Sequence, residues 1–149
     1  MSLSAPPMEQ DDLNLPEEDA IIDSSQGNRE TILFVEDNDL MREVGIQILE
    51  DLGYQVFSAC NGREALKVFN EMQDIDLIFT DIIMPDMGGL AMLREIRQSG
   101  SQVKALAVTG HMDVEDVGKL REVNVTSIIR KPYDFDILAD EIRKALDTA

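Results

Sequence analysis

Short apolar runs in this chain end in polar side chains suited to phosphate and metal chemistry. Glu36-Asp37 follow Thr31 to Val35, Asp81 follows Asp76 to Thr80, Thr109 closes Ala105 to Thr109, and Lys131 follows Thr126 to Ile129. Asp37 and Asp81 lie 44 positions apart, Thr109 lies 28 further on, and Lys131 another 22. Those separations suit two strand-helix units followed by one and one. Three carboxylates gathered at one place repel, and they cannot all stay ionised without a cation. A metal is therefore expected at Glu36, Asp37 and Asp81. All-oxygen ligation favours Mg2+, with Mn2+ as an alternative, and so few carboxylates leave magnesium room for waters and a phosphate oxygen. One carboxylate can then attack phosphorus while the metal and a lysine neutralise the transferring group. Asp81 is the best placed nucleophile. It ends the central strand, Lys131 supplies a point charge and Thr109 a hydroxyl donor.

The elements that must position these residues are legible in the hydropathy pattern. Beyond Arg29, short apolar runs alternate with segments of helical period, the mark of a parallel sheet covered by helices. The fold class expected is α/β, a doubly wound five-stranded parallel sheet of order 2-1-3-4-5 with five helices. The runs at 31–35, 76–80 and 105–109 are apolar enough for strands buried on both faces. The more polar run at 55–59 and the short one at 126–129 belong at the edges. A first helix is expected to bury Met41, Val44, Ile48 and Leu52, with Gly53 as its left-handed stop. Leu66, Phe69 and Met72 mark a second helix, and Leu90, Leu93 and Ile96 a third. Asp134 can cap a last helix with Phe135, Leu138, Ile142 and Ala145 inward. The fourth, from about residue 113 to 123, is the weakest, with Val114, Val117 and Leu120 for a core face and Gly118 costing about 1 kcal/mol against alanine. In such a sheet ligands bind beyond the carboxyl ends of the strands where the order reverses, between strands one and three.

Composition narrows the function. The chain of 149 residues is 44% hydrophobic, enough for one domain with an ordinary core. Its 30 acidic and 13 basic side chains give a formal charge of −17, which argues against direct binding of nucleic acid. Cys60 alone cannot form an internal disulfide, and its setting reads as packing. No apolar stretch approaches the roughly 18 residues of a membrane span and no signal peptide is visible, so no membrane role and a cytoplasmic location are expected. Residues 1–28 hold seven acids, no base and three of the five prolines. They are expected to form a disordered acidic tail, either solubilising or partner-binding, ahead of a domain over 29–149. No output module is visible.

Four runs carry a family resemblance: Ile32-Leu33-Phe34-Val35-Glu36-Asp37-Asn38, Thr80-Asp81-Ile82-Ile83-Met84-Pro85-Asp86-Met87-Gly88-Gly89-Leu90, Val108-Thr109-Gly110 and Lys131-Pro132-Tyr133. Each is weak alone, but in this order they resemble the receiver domains of two-component response regulators, from about Glu30 to Leu146. The resemblance implies a phosphoacceptor switch with at most slow self-phosphorylation and autodephosphorylation, rather than an enzyme. Asp81 would take a phosphoryl group from a sensor histidine kinase or a histidine phosphotransfer protein. Asp37 would bind magnesium directly, Glu36 through water, and the Ile83 main-chain carbonyl would be a further ligand. Thr109 would hold a phosphate oxygen and reorient, Lys131 would pair with the phosphoryl group, and a cis bond is expected before Pro132. Gly110 would leave the site open to a donor. Signalling would then run through protein contact, with a homodimer through helix four, strand five and helix five as one form.

Each residue also has a plainer reading. Glu36 to Asp39 can simply cap the first helix, and Asp81 can be a turn residue before Met84-Pro85. Those readings leave unexplained why Thr109 and Lys131 end neighbouring strands. His111, the sole histidine, is an ordinary loop residue or an influence on phosphate lifetime, and Met84 and Met87 read as packing. Three rivals remain within reach of the fold. A receiver-like module that takes no phosphate would have little use for Asp37, Asp81, Thr109 and Lys131 together. A haloacid-dehalogenase-like phosphohydrolase carries a second Asp two residues after its nucleophile, where this chain has Ile83. A flavodoxin-like carrier needs hydroxyls and glycines in its first loop, where Glu36 and Asp37 would repel phosphate. One departure from the receiver pattern stands out: three residues before the lysine, the usual Tyr or Phe is replaced by Ile128. That puts in doubt the usual route from site to surface.

Overall fold

The computed structural model describes residues 29–110 and 114–148. Residues 1–28, 111–113 and 149 and the side chain of Val114 lie outside that description, and with them the expected acidic tail, the Val114 core contact and His111. Five parallel strands form one sheet in the order β2-β1-β3-β4-β5. β1 (Thr31–Val35) and β3 (Leu77–Asp81) are buried throughout, and β4 (Lys104–Thr109) is buried after its first residue. β2 (Gln55–Ala59) and β5 (Ser127–Arg130) each bury one residue and form the edges. This is the doubly wound order that the run lengths predict. Strand three starts one residue later than expected and takes in Asp81. Asp76 is turned instead to the start of β1, where its carboxylate accepts the Thr31 N–H at 2.8 Å. Strand five is likewise shifted by one residue, to Ser127–Arg130.

Five helices cover the sheet: α1 (Asp39–Asp51), α2 (Gly62–Glu71), α3 (Gly89–Gln98), α4 (Val114–Glu122) and α5 (Phe135–Asp147). Alternate strand residues feed two cores. Ile32, Phe34, Leu77 and Phe79 pack with Leu49 of α1 and with Leu138 and Ile142 of α5. Leu33, Val35 and Ile78 pack on the opposite face with Ala65 of α2 and Met92, Leu93 and Ile96 of α3. Gly53 (φ 100°) ends α1 as expected, with the Tyr54 N–H returning to the Leu49 carbonyl at 3.2 Å. The Asp134 carboxylate caps α5 by accepting the Ile137 N–H at 2.8 Å.

The face of α1 corrects the sequence reading. Gly45 and Leu49 point inward, whereas Met41 is 41% and Val44 39% exposed and Ile48 is only half-buried. The cause is the Phe34 ring, stacked on Phe79 at 5.1 Å. A Cβ on Gly45 would come within 2.5 Å of that ring, so the helix lies on β1 through a residue with no side chain. Glycine gives no hydropathic signal, and the apolar stripe beside it was the visible one.

α4 is held from behind by Arg97 of α3, whose guanidinium donates to the Val123 and Asn124 carbonyls at 2.8 and 3.1 Å and to the Val103 carbonyl at 2.6 Å. Leu120 of α4 and Val123 just beyond its end are buried, while a Cβ on Gly118 would meet nothing within 4 Å. Gly118→Ala is therefore expected to stabilise the domain by about 1 kcal/mol, seen as a thermal midpoint roughly 4 °C higher. A lower midpoint would contradict the open surroundings of that position.

Candidate functional site

Backbone pairing carries past the strand ends and fixes the residues that follow. The Glu36 N–H donates to the Ala59 carbonyl at 3.0 Å, the Ile82 N–H to Val108 at 3.1 Å, and the Lys131 N–H to Thr109 at 2.8 Å. Glu36, Asp37 and Asp81 are thereby gathered so that one carboxylate oxygen of each lies within 4.8 Å of the others. Glu36 is 4% and Asp81 8% exposed, and Asp37 is open to solvent. Asp81 Oδ1 accepts the Ile82 N–H at 2.8 Å and Oδ2 accepts Lys131 Nζ at 2.8 Å. Lys131 Nζ also stands 3.9 Å from Glu36 Oε1.

Burial drives the Glu36 carboxyl above its ordinary range, against the Asn38 N–H and Lys131, which pull it down. Burial also works against the Lys131 charge, but the hydrogen bond to Asp81 and the charges of Asp81 and Glu36 outweigh it, and the ammonium is held above its ordinary range. One ammonium against three carboxylates leaves an excess of negative charge that suits a small hard cation. The donor set therefore fits a divalent, oxygen-seeking metal.

Of the plainer readings, capping holds for Asn38, whose side chain accepts the Met41 N–H at 2.9 Å. It does not account for Glu36, which turns its carboxylate to the Asn38 N–H at 3.0 Å and toward Lys131. Thr109 ends β4 with 3% exposure. Gly110 is exposed, and a Cβ there would touch only Lys131 Cβ at 3.9 Å. The Lys131–Pro132 peptide is cis. Ile83 is 73% exposed and lines a cavity of about 140 Å³ with Ile82, Leu90, Thr109, Asp116 and Leu120. Ile128 is half-buried in β5 opposite Ala107. Met84 is buried in the second core and Met87 packs against it, as read.

Sequence reasoning missed the glycines that close the loop after β3. The Gly62 N–H donates to the Met87 carbonyl at 2.7 Å and the Gly89 N–H to the Ile82 carbonyl at 2.9 Å. A Cβ on Gly88 would lie 2.7 Å from the Ile82 carbonyl, and one on Gly89 would strike the Asp81 carbonyl. The Gly88-Gly89 pair at the start of a helix was the available signal.

A doubly wound domain with acids and a lysine converging at its strand-order reversal defines a class of phosphate-handling α/β proteins. The model of the response regulator receiver domain matches residues 32–143, and the chain belongs to that family. It is a phosphoacceptor domain of two-component signal transduction. It is 31% identical over 78% of its length to the sensor kinase CckA of Brucella abortus, of which it spans 12%. It is 26% identical over 78% of its length to sporulation initiation phosphotransferase F of Bacillus subtilis, covering 94% of that protein. Among solved structures, a CheY-like receiver domain protein from Methanospirillum hungatei superposes with a TM-score of 0.73 at 31% identity, over 79% of this chain and 94% of the other. The chain spans less than half the length of several other curated relatives it matches. Among the described residues no helix is long and apolar enough to cross a membrane.

Proposed function

We propose that Asp81 accepts a phosphoryl group from the phosphohistidine of a sensor kinase or phosphotransfer protein. The observation that carries the reading is the convergence of Glu36, Asp37 and Asp81 within 4.8 Å, with Lys131 2.8 Å from Asp81. An Asp81 carboxylate oxygen forms the new bond to phosphorus as the phosphorus–nitrogen bond breaks, and the imidazole departs with a proton. Lys131 pairs with the arriving phosphoryl oxygens and Thr109 donates its hydroxyl to one of them. Asp37, Asp81 and the Ile83 main-chain carbonyl, with Glu36 through water, would hold Mg2+ or Mn2+, which when bound would neutralise charge on the transferring group. Phosphoramidate, a small donor with a phosphorus–nitrogen bond, is expected to give one phosphoryl adduct by intact mass in magnesium. Its failure to do so in either metal would overturn the reading.

Output by protein contact remains part of the proposal, including a homodimer through α4, β5 and α5. Exposed apolar residues favour another face for the phosphodonor. Leu40, Met41 and Val44 of α1 and Ile137 of α5 are exposed, and Met41, Lys131, Pro132, Tyr133 and Phe135 line a cavity of about 420 Å³. Lys131 belongs to that cavity and to the acidic site alike, so a helix laid on α1 brings its histidine toward Asp81.

Loss of the phosphoryl group requires a water in line with the phosphorus–oxygen bond. Ile83, two residues after Asp81, cannot orient one, while His111, two after Thr109, can do so as a neutral imidazole. Ile83→Asn is expected to quicken dephosphorylation in saturating magnesium and His111→Ala to slow it, each by more than about threefold, or roughly 0.7 kcal/mol in the barrier. Rates that move less would remove both side chains from control of the lifetime.

A further inference from the structure

The peptide joining Glu36 to Asp37 is held from outside the acidic cluster. Arg42, in the first turn of α1, sends Nη1 back to the Glu36 main-chain carbonyl at 2.8 Å and Nη2 to the Asp39 carboxylate at 2.6 Å. Its side chain is 20% exposed. A cation in the first helical turn opposes the helix dipole, so its place there calls for a compensating role. The surroundings of Glu36 point to that role. Its N–H is taken by the Ala59 carbonyl, its Oε2 by the Asn38 N–H, and its carbonyl by Arg42. That carbonyl belongs to the same planar unit as the Asp37 nitrogen. Fixing it fixes the direction in which two of the three clustered carboxylates leave the chain.

We propose that Arg42 is a positioning residue, which locks the Glu36–Asp37 peptide so that both carboxylates face a divalent cation together with Asp81. The inference rests on the reading of this cluster as the magnesium site. Charge alone predicts the opposite effect, since a cation beside three carboxylates weakens the binding of another, and its removal should tighten it.

Magnesium titration of the unphosphorylated protein by calorimetry separates these effects without any phosphoryl donor. Arg42→Ala is expected to weaken magnesium binding roughly tenfold, in the range seen when the partners of metal ligands are removed. Arg42→Lys keeps the charge, but an ammonium lacks the fork that spans a carbonyl and a carboxylate together, so its affinity should fall between the two. Amide spectra in chelator will show whether each variant keeps the native fold. If Arg42→Ala loses the fold, Arg42→Lys decides alone. Magnesium affinity in a folded variant equal to or above that of the wild type would overturn the proposal. Asp37→Asn tests the underlying reading separately: if it binds magnesium as well as the wild type, the assignment of the cluster fails instead.

Discussion

Asp81→Asn will take no phosphoryl group from acetyl phosphate, and neither will the wild type in excess chelator. The substitution is nearly isosteric, and an amide oxygen can still accept the Ile82 N–H that Asp81 Oδ1 accepts at 2.8 Å. Asp81 is 8% exposed and one of three acids within 4.8 Å, so replacing it also relieves repulsion. The fold should therefore survive in the absence of magnesium, although the amide has one acceptor oxygen and cannot take both the Ile82 N–H and the Lys131 ammonium, which meets Asp81 Oδ2 at 2.8 Å. What disappears is the anionic oxygen needed to attack phosphorus. Intact-mass spectra in magnesium should show complete conversion of the wild type and none of the variant. An adduct that persists in Asp81→Asn, or that forms equally in chelator, would move the chemistry to another residue.

Gly89→Ala should have the largest effect on stability of any alanine substitution around the site. Its Cβ would strike the Asp81 carbonyl and lie 3.1 Å from Thr80 Oγ1 and 3.2 Å from Ile82 Cα. Backbone and a buried hydroxyl cannot step aside as a flexible side chain can, so a cost of about 1–3 kcal/mol is expected. Because the clash falls on the peptide of Asp81 itself, phosphorylation should slow as well. Gly110→Ala is the control, since its Cβ would meet only Lys131 Cβ at 3.9 Å, and it should stay within about 0.5 kcal/mol of the wild type. Urea unfolding of both variants in chelator measures the difference. Equal midpoints would show that the start of α3 yields freely, and would remove the steric argument for that glycine.

These two predictions also mark what the sequence discloses. The inner strands are almost wholly apolar between their ends because helices cover both faces, so β1, β3 and β4 could be read directly, and with them the strand order. Gly53 and Asp134 were legible because stops and caps demand particular residue types. Glu36, Asp37, Asp81 and Lys131 could be gathered from sequence because Asp81 ends a strand, the other three follow one by a residue or two, and the sheet brings the strand ends together. The inward turn at Gly45 was not legible, nor were the tight approaches of Gly62, Gly88 and Gly89, since each depends on a side chain that is missing. Arg42 escaped for a related reason. Its partner is a main-chain carbonyl, which every residue carries, so no pairing of residue types reveals it.

The grip of Arg97 on α4 has a mechanical consequence. Its guanidinium reaches the main-chain carbonyls of Val123 and Asn124 on one side and those of Ser101 and Val103 on the other. These bonds join a charge to neutral dipoles, so salt that screens pairs of exposed charges has little purchase on them. They hold the helix only beyond its C-terminal end, while its middle contains Gly118 with open space around it. With Leu120 buried as well, α4 is anchored toward its C-terminal end, and a tilt about Arg97 would be largest at the opposite, N-terminal end.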